Sequence, residues 1–303
     1  MPVEKILIVF LDGVGLGEDD AGANPFAGHP LPFLSRCLDG RKPLRRNGGY
    51  SNGQAALLGL DAGLGVAGLP QSGTGQTAIL TGLNAPAILG EHDGPYPNQR
   101  LRALLAEQNI FKRLLEAGKP VAYASAYPDR FLNRLKRGKG RLSANTRAAL
   151  DAGLKIRGPE ELQAGRAISG MLTNRYWREW GYDVPLLSPQ EVGTRFVALA
   201  QDHALTFFEF WYTDVVGHRQ DIGQAHHLLD LLDGFFEGIV EAANLETTLL
   251  LIISDHGNFE DLTTKQHTAN PALALLIGQA HLAAAQRLSS TMDFAPLIVD
   301  LLT

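Results

Sequence analysis

The run "TLLLIISDHGN", Thr248 to Asn258, limits the fold more than any other stretch of this chain. Its apolar residues do not alternate with polar ones, so as a strand it is buried on both faces. Such a strand needs helices above and below it, which is the layering of a parallel α/β sheet. "KILIVFLDGVG" near the start and "PALALLIG" near the end read the same way, and "VAYASAYP" and "ALTFFEFWYTD" are further strand candidates. Helical patterns lie between them, over Asn98 to Lys119 and Gln224 to Asn244, with a short terminal helix over Asp293 to Leu302. The expected fold is α/β: a doubly wound, mainly parallel sheet. Ligands bind such sheets at the carboxyl ends of the strands.

The middle of the chain has a different texture, rich in Arg, Gly and Pro, with a basic run "RFLNRLKRGKGR". Residues 84–201 are therefore expected to form a smaller inserted cap, over a core built from residues 1–83 and 202–303. A net charge of -5 argues against general nucleic-acid binding. One cysteine, Cys37, excludes an intrachain disulfide and a thiolate zinc site. No apolar stretch approaches the roughly 20 residues of a membrane span. The opening "MPVEKILIVFLDG" has too short an apolar run for a signal peptide. A cytoplasmic protein without a membrane partner is expected.

Polar residues gather where the strands end. Asp12 closes the first strand, and Asp255 and His256 follow "LLLIIS" directly. In "TDVVGH", Asp214 and His218 stand one helical turn apart and so share a face. His267 lies in "QHTANP", whose Asn-Pro marks a turn. Mixed carboxylate and imidazole ligands of this kind suit zinc or manganese. Carboxylates this crowded repel one another, and a pair of divalent cations removes that cost. A nucleophile is also on offer. "GLPQSGTGQTAILTG" is a Gly-rich turn entering a helix pattern, with hydroxyls at Ser72, Thr74 and Thr77. The start of a helix favours an anion there, although a lone Ser or Thr at this position also serves as an N-cap.

In order along the chain, "LDGVG", the Ser-containing loop ending in "TG", "TDVVGH", "SDHGN" and "HTANP" resemble the motif set of the alkaline phosphatase superfamily of metalloenzymes. Among its branches, "DHGNFED" followed by "HTANP" is most similar to cofactor-independent phosphoglycerate mutase. The resemblance covers roughly residues 1–83 and 205–303. It implies two divalent metal ions and a nucleophile that takes a phosphoryl group. Carried over position by position, it implies one metal on Asp214, His218 and His267 and the other on Asp12, Asp255 and His256. Ser72 would be the nucleophile reaching both, because its spacing to Thr81-Gly82 matches the superfamily pattern; Thr74 is the fallback. A small phosphorylated substrate follows. Two reactions fit, hydrolysis of a phosphate ester or a phosphomutase isomerisation, and the smaller cap favours hydrolysis. A metal-stabilised binding module without turnover is the third reading, and it has no use for Ser72.

Two departures from the mutase pattern stand out. Gln76 occupies the place of a histidine in "SGTGQT". The cap residues of the mutase have no one-to-one match; "YPDRF" offers Asp129 and Arg130, with Arg134, Arg137 and Arg141 beyond, as candidate clamps for an anionic substrate.

Overall fold

In the computed structural model, which describes residues 2–303, the strands are β1 (Lys5–Leu11), β2 (Tyr50–Ser51), β3 (Ala55–Leu60), β4 (Val121–Tyr123), β5 (Ser125–Ala126), β6 (Ile168–Ser169), β7 (Leu205–Phe210), β8 (Thr248–Ser254) and β9 (Ala272–Ile277). Seven of them form one sheet in the order β2-β3-β9-β8-β1-β7-β4, while β5 and β6 form a separate pair. β1 runs parallel to β7 and β8, and β4 runs parallel to β7. β9 is antiparallel to both β8 and β3, and β2 is antiparallel to β3. The sheet is thus mixed but mostly parallel. "PALALLIG" is buried on both faces as its composition demands, yet it runs against its neighbours.

Alternate residues of the central strands feed two cores, as a two-residue period requires. Leu7, Val9 and Leu11 of β1, with Leu250 and Ile252 of β8, pack with the helices Pro189–Leu199 and Ile222–Ala242. Ile6, Ile8 and Phe10 pack on the other face, with the helices Ser72–Thr81, Ile110–Glu116 and Phe294–Leu302. At about 25 cal/mol per Å² of apolar surface removed from water, these two layers supply the main driving force for the fold.

Two expectations are revised. The pattern from Asn98 to Lys119 is two helices, Gln99–Glu107 and Ile110–Glu116. Asn109 breaks it: its side-chain oxygen accepts from Lys112 N at 3.0 Å and its amide donates to Leu105 O at 2.8 Å, so it caps the second helix and closes the first. Residues 84–201, expected as one cap, divide between two places. β4 is an edge strand of the main sheet, and Leu105, Ile110 and Phe111 belong to the central core. Only a small cluster, Ala126, Leu162, Ala167, Trp177 and Val184, forms its own apolar centre beside β5 and β6.

Register positions the site. Leu11 pairs with Phe210 on one side and Ser254 on the other, so the chain leaves β1, β7 and β8 at one level. Asp12 and Asp255 emerge side by side, and Asp214 follows β7 in the first turn of the helix Tyr212–Arg219.

Candidate metal centre and active site

Ser254 holds the two strand ends together. Its hydroxyl accepts from Val14 N at 2.8 Å and donates to His256 O at 3.1 Å, while Gly13 N donates to Asp255 Oδ1 at 3.2 Å. His256 Nε2 then lies 3.4 Å from Asp12 Oδ1 and 3.5 Å from Asp255 Oδ2. On the neighbouring element, Asp214 Oδ2 lies 3.3 Å from His218 Nε2, and its Oδ1 lies 3.5 Å from His267 Nε2. The rings of His256 and His267 stack at 3.8 Å between centroids, which joins the two groups into one centre. All six carboxylate and imidazole residues read from the sequence therefore meet. Asp214, His218 and His267 form one group of closely placed donor atoms, and Asp214 also approaches Asp12 and His256.

The donor set fits divalent cations. His218, His256 and His267 each turn Nδ1 toward a backbone carbonyl, of Lys265 at 2.6 Å, Gly257 at 3.3 Å and Pro70 at 2.7 Å. A proton on Nδ1 satisfies each carbonyl and leaves the Nε2 lone pair facing the centre, as a ligating imidazole requires. Asp255 is fully buried, and its Oδ2 has no hydrogen-bond partner in the protein. A buried carboxylate oxygen left without a donor is costly unless a cation meets it.

The electrostatics show the same strain. Burial, then the charge of Asp255, pushes Asp12 well above the usual carboxylate range. Burial pushes Asp255 up to about 7, against the bond from Gly13 N–H. Burial would raise Asp214 too, but the bonds from His218 and His267 hold it well below its ordinary value. Asp214 in turn raises His218 to about 9, and raises His267 in spite of burial. Without cations, the folded chain therefore binds protons at Asp12, Asp255, His218 and His267 that the unfolded chain releases. Stability from this uptake is present at low pH and is lost as pH rises through about 7 for Asp255 and about 9 for His218. Chelator-treated protein is predicted to show a Tm that falls from pH 6 to pH 9, with added divalent metal restoring it most at the alkaline end. Scanning calorimetry with and without metal checks this.

The hydroxyls separate cleanly. Ser72, first residue of the helix Ser72–Thr81, places Oγ 2.9 Å from His256 Nε2 and 3.3 Å from Asp12 Oδ1. Thr74 Oγ1 instead donates to Gln71 O at 3.1 Å, and Thr77 Oγ1 donates to Gly73 O at 2.6 Å. Neither faces the centre. Thr74 N–H is also committed, to Asp93 O at 2.9 Å, so it is not free to hold a phosphate at the helix start. Gly75 allows the helix to lie this close, because a Cβ there would meet Asp255 O at 3.1 Å.

Gln76, noted above only as a departure from the mutase pattern, has a part here, and Asn258 and Glu260 escape the sequence reading. Gln76 donates to Asp12 Oδ2 at 3.2 Å and accepts from Ala144 N at 3.1 Å, tying the centre to the helix Ala144–Asp151. Asn258 donates to Asp214 Oδ1 at 2.9 Å. Its neighbour across the gap must be glycine, since a Cβ on Gly217 would fall 2.1 Å from Asn258 Oδ1. Glu260 is buried and accepts from Gly15 N and Asn258 N, both at 2.8 Å, from Thr268 Oγ1 at 2.5 Å and from Asn270 Nδ2 at 3.0 Å. It pins the loops carrying Asp12, Asp255 and His267 to one another. Truncation strands these donors, so Glu260→Ala is predicted to lose about 3 kcal/mol of stability, measured by denaturant unfolding. A carboxylate two residues past "DHGN" was the available signal, although Asp261 beside it gives no clue to which of the two turns inward.

Above the centre opens a cavity of about 580 Å³ whose floor includes Asp12, Ser72, Gln76 and Asp214. Arg130 and Arg141 stand in its wall. Asp129 and Arg134, expected beside Arg130 as substrate clamps, do not line it. They sit on the helix Asp129–Lys136; Asp129 points about 100° away from Arg130, and Arg134 shares Arg130's face but stands one turn, about 5.4 Å, further along the helix. Glu209 also lines the cavity, receiving Tyr123 OH at 2.5 Å, Asn145 Nδ2 at 3.0 Å and Ser143 Oγ at 3.1 Å. A charged residue inside the apolar run "LTFFEF" was its sequence signal.

A family model described as the Metalloenzyme superfamily matches residues 182–302, the span that holds Asp214, His218, Asp255, His256 and His267. The 2,3-bisphosphoglycerate-independent phosphoglycerate mutase of Desulforudis audaxviator is 32% identical over 128 residues, which is 40% of this chain and 25% of that protein. The corresponding enzyme of Moorella thermoacetica is 27% identical over 124 residues, 39% of this chain and 24% of that protein. Over residues 182–302 the chain is similar to the Metalloenzyme superfamily, and its fold is similar to that of alkaline phosphatases. The fold is shared over whole chains. The PH0037 protein from Pyrococcus horikoshii superposes with a TM-score of 0.56 at 13% identity, covering 100% of this chain and 98% of that one. The alkaline phosphatase from the Antarctic bacterium TAB5 gives 0.53 at 11%, covering 99% and 98%. The sequence match spans only about a quarter of each mutase's length. No helix among the described residues is long and apolar enough to cross a membrane.

Proposed function

We propose that this chain catalyses phosphoryl transfer through a phosphoserine at Ser72, hydrolysing a small phosphate ester with the help of two divalent cations, manganese or zinc. The observation that carries the proposal is the position of Ser72 Oγ, 2.9 Å from His256 Nε2 and 3.3 Å from Asp12 Oδ1, on the floor of an open cavity. Asp214, His218 and His267 would hold one cation, and Asp12, Asp255 and His256 the other. Bound there, such cations polarise phosphoryl oxygens and favour the deprotonated form of a nearby hydroxyl.

The chain's own residues do the rest. The helix start fixes Ser72 in line with the cavity, and Gln76 and Asn258 orient Asp12 and Asp214 through their hydrogen bonds. The Oγ–P bond forms as the P–O bond to the alcohol breaks, and the serine proton leaves with the alcohol. Water then attacks the phosphoserine, restoring the hydroxyl and releasing inorganic phosphate. Arg130 and Arg141 place positive charge in the wall where an anionic ester enters.

The sequence likeness to phosphoglycerate mutases supports a second reading, in which the phosphoryl group returns to the same alcohol at another position. One experiment addresses both. The metal-loaded protein is mixed with radiolabelled phosphate esters, quenched with acid and mapped by peptide. Label on Ser72 with release of phosphate is the expected result. Interconversion of phosphoglycerates without phosphate release would establish the mutase instead, and no labelled serine with any ester would refute the proposal.

A further inference from the structure

The wall of the cavity is made of rings. All three tryptophans of the chain, Trp177, Trp180 and Trp211, line it, as do four of the seven tyrosines, Tyr96, Tyr127, Tyr176 and Tyr212. Among the large apolar side chains left exposed on the described residues, every aromatic one belongs to this wall: Tyr96 is 42% exposed, Tyr176 39%, Trp180 46% and Trp211 42%. Aromatic side chains are normally withdrawn from water, and a patch of them left open at a cavity mouth marks a binding surface. The arginines of the wall also lie against rings. Arg130 stands 4.6 Å over Trp180, and Arg141 stands 5.9 Å from the centre of the Tyr96 ring. A guanidinium held near an aromatic face adds to a surface that accepts a further flat ring. Two fixed cations disfavour a cationic headgroup, although aromatic cages suit one elsewhere. The volume, about 580 Å³, lies within the range of pockets that enclose ligands of drug size and far exceeds what a three-carbon ester fills.

Resting on the phosphoryl-transfer reading above, we infer that the substrate is a phosphomonoester whose alcohol carries a planar aromatic ring, held between Trp180 and Trp211 while its phosphate reaches Ser72. The ring enters the wall, the phosphate lies on the floor, and the arginines border the passage between them.

The test compares esters that differ only in the ring. Adenosine 5′-monophosphate is paired with ribose 5-phosphate, and 2-phenylethyl phosphate with ethyl phosphate, so that the leaving oxygen is a primary alcohol throughout. Stacking of one base on an aromatic side chain corresponds to about 5- to 140-fold in affinity. The metal-loaded enzyme is expected to prefer the ring member of at least one pair by about tenfold or more in kcat/KM. The nucleoside pair alone showing it identifies a nucleobase; both pairs showing it identify any flat ring. Trp180→Ala and Trp211→Ala, both at exposed positions, are each expected to lower kcat/KM for the ring ester at least about fivefold more than for its partner. The same esters are titrated into metal-loaded Ser72→Ala, with tryptophan fluorescence as the readout; the ring esters are expected to quench it at concentrations about tenfold lower. If no ester labels Ser72, phosphoryl transfer fails, and the fluorescence titration still decides whether the wall takes a ring. Equal kcat/KM and equal affinities within both pairs overturn the inference.

Discussion

Ser72→Ala is expected to abolish turnover of every phosphate ester the wild-type protein accepts, with a loss on the order of 10⁴-fold or more, as for other catalytic nucleophiles. The geometry leaves no substitute. Thr74 Oγ1 is bound to Gln71 O and Thr77 Oγ1 to Gly73 O, and turning either toward the centre would break a buried bond. The variant should fold normally, because Ser72 is the first helical residue and Gln71, not Ser72, occupies the cap position. Its metal content should match the wild type, since the six carboxylate and imidazole donors remain. Steady-state kinetics with elemental analysis of the same sample checks both halves. Normal turnover in Ser72→Ala with loss in Thr74→Ala would move the nucleophile.

The second large effect concerns Asp214. Its two oxygens serve different neighbours: Oδ2 faces His218, while Oδ1 faces His267 and accepts from Asn258. It also approaches Asp12 and His256 from the other group. Removing it takes away the carboxylate that both His218 and His267 face. Asp214→Ala is predicted to lose one bound cation per chain and to lower kcat/KM on the order of 10³-fold, since Lewis-acid stabilisation of a transferring phosphoryl group is worth several kcal/mol. Activity measured across a metal titration separates this from misfolding. A variant that regains full kcat at high metal would show that Asp214 sets affinity alone.

Much of this site was legible because buried strands announce themselves. A run such as "TLLLIIS" has no reason to end in Asp255 and His256 unless the strand end is a working surface, and the pairing of Leu11 with Ser254 then places Asp12 beside them. The helical spacing of Asp214 and His218 was readable for the same kind of reason. The choice of Ser72 over Thr74 came only from the spacing that the resemblance implies, because which hydroxyl finds a carbonyl is decided by three-dimensional packing. β3, "AALLGL", lacks the bulky β-branched residues that signal a strand. The aromatic wall was hidden by distance along the chain, as Tyr96, Trp180 and Trp211 come from separate segments. Of the basic run, only Arg130 and Arg141 reach the cavity, and a cluster of like charges gives no clue to which member turns inward.

The most direct measurement is metal stoichiometry. Protein equilibrated with manganese or zinc, freed of excess and analysed by inductively coupled plasma mass spectrometry should carry two ions per chain, falling to one or fewer in Asp214→Ala. Wild-type protein that retains no ion under these conditions, or that binds equally well without Asp214, would contradict the account.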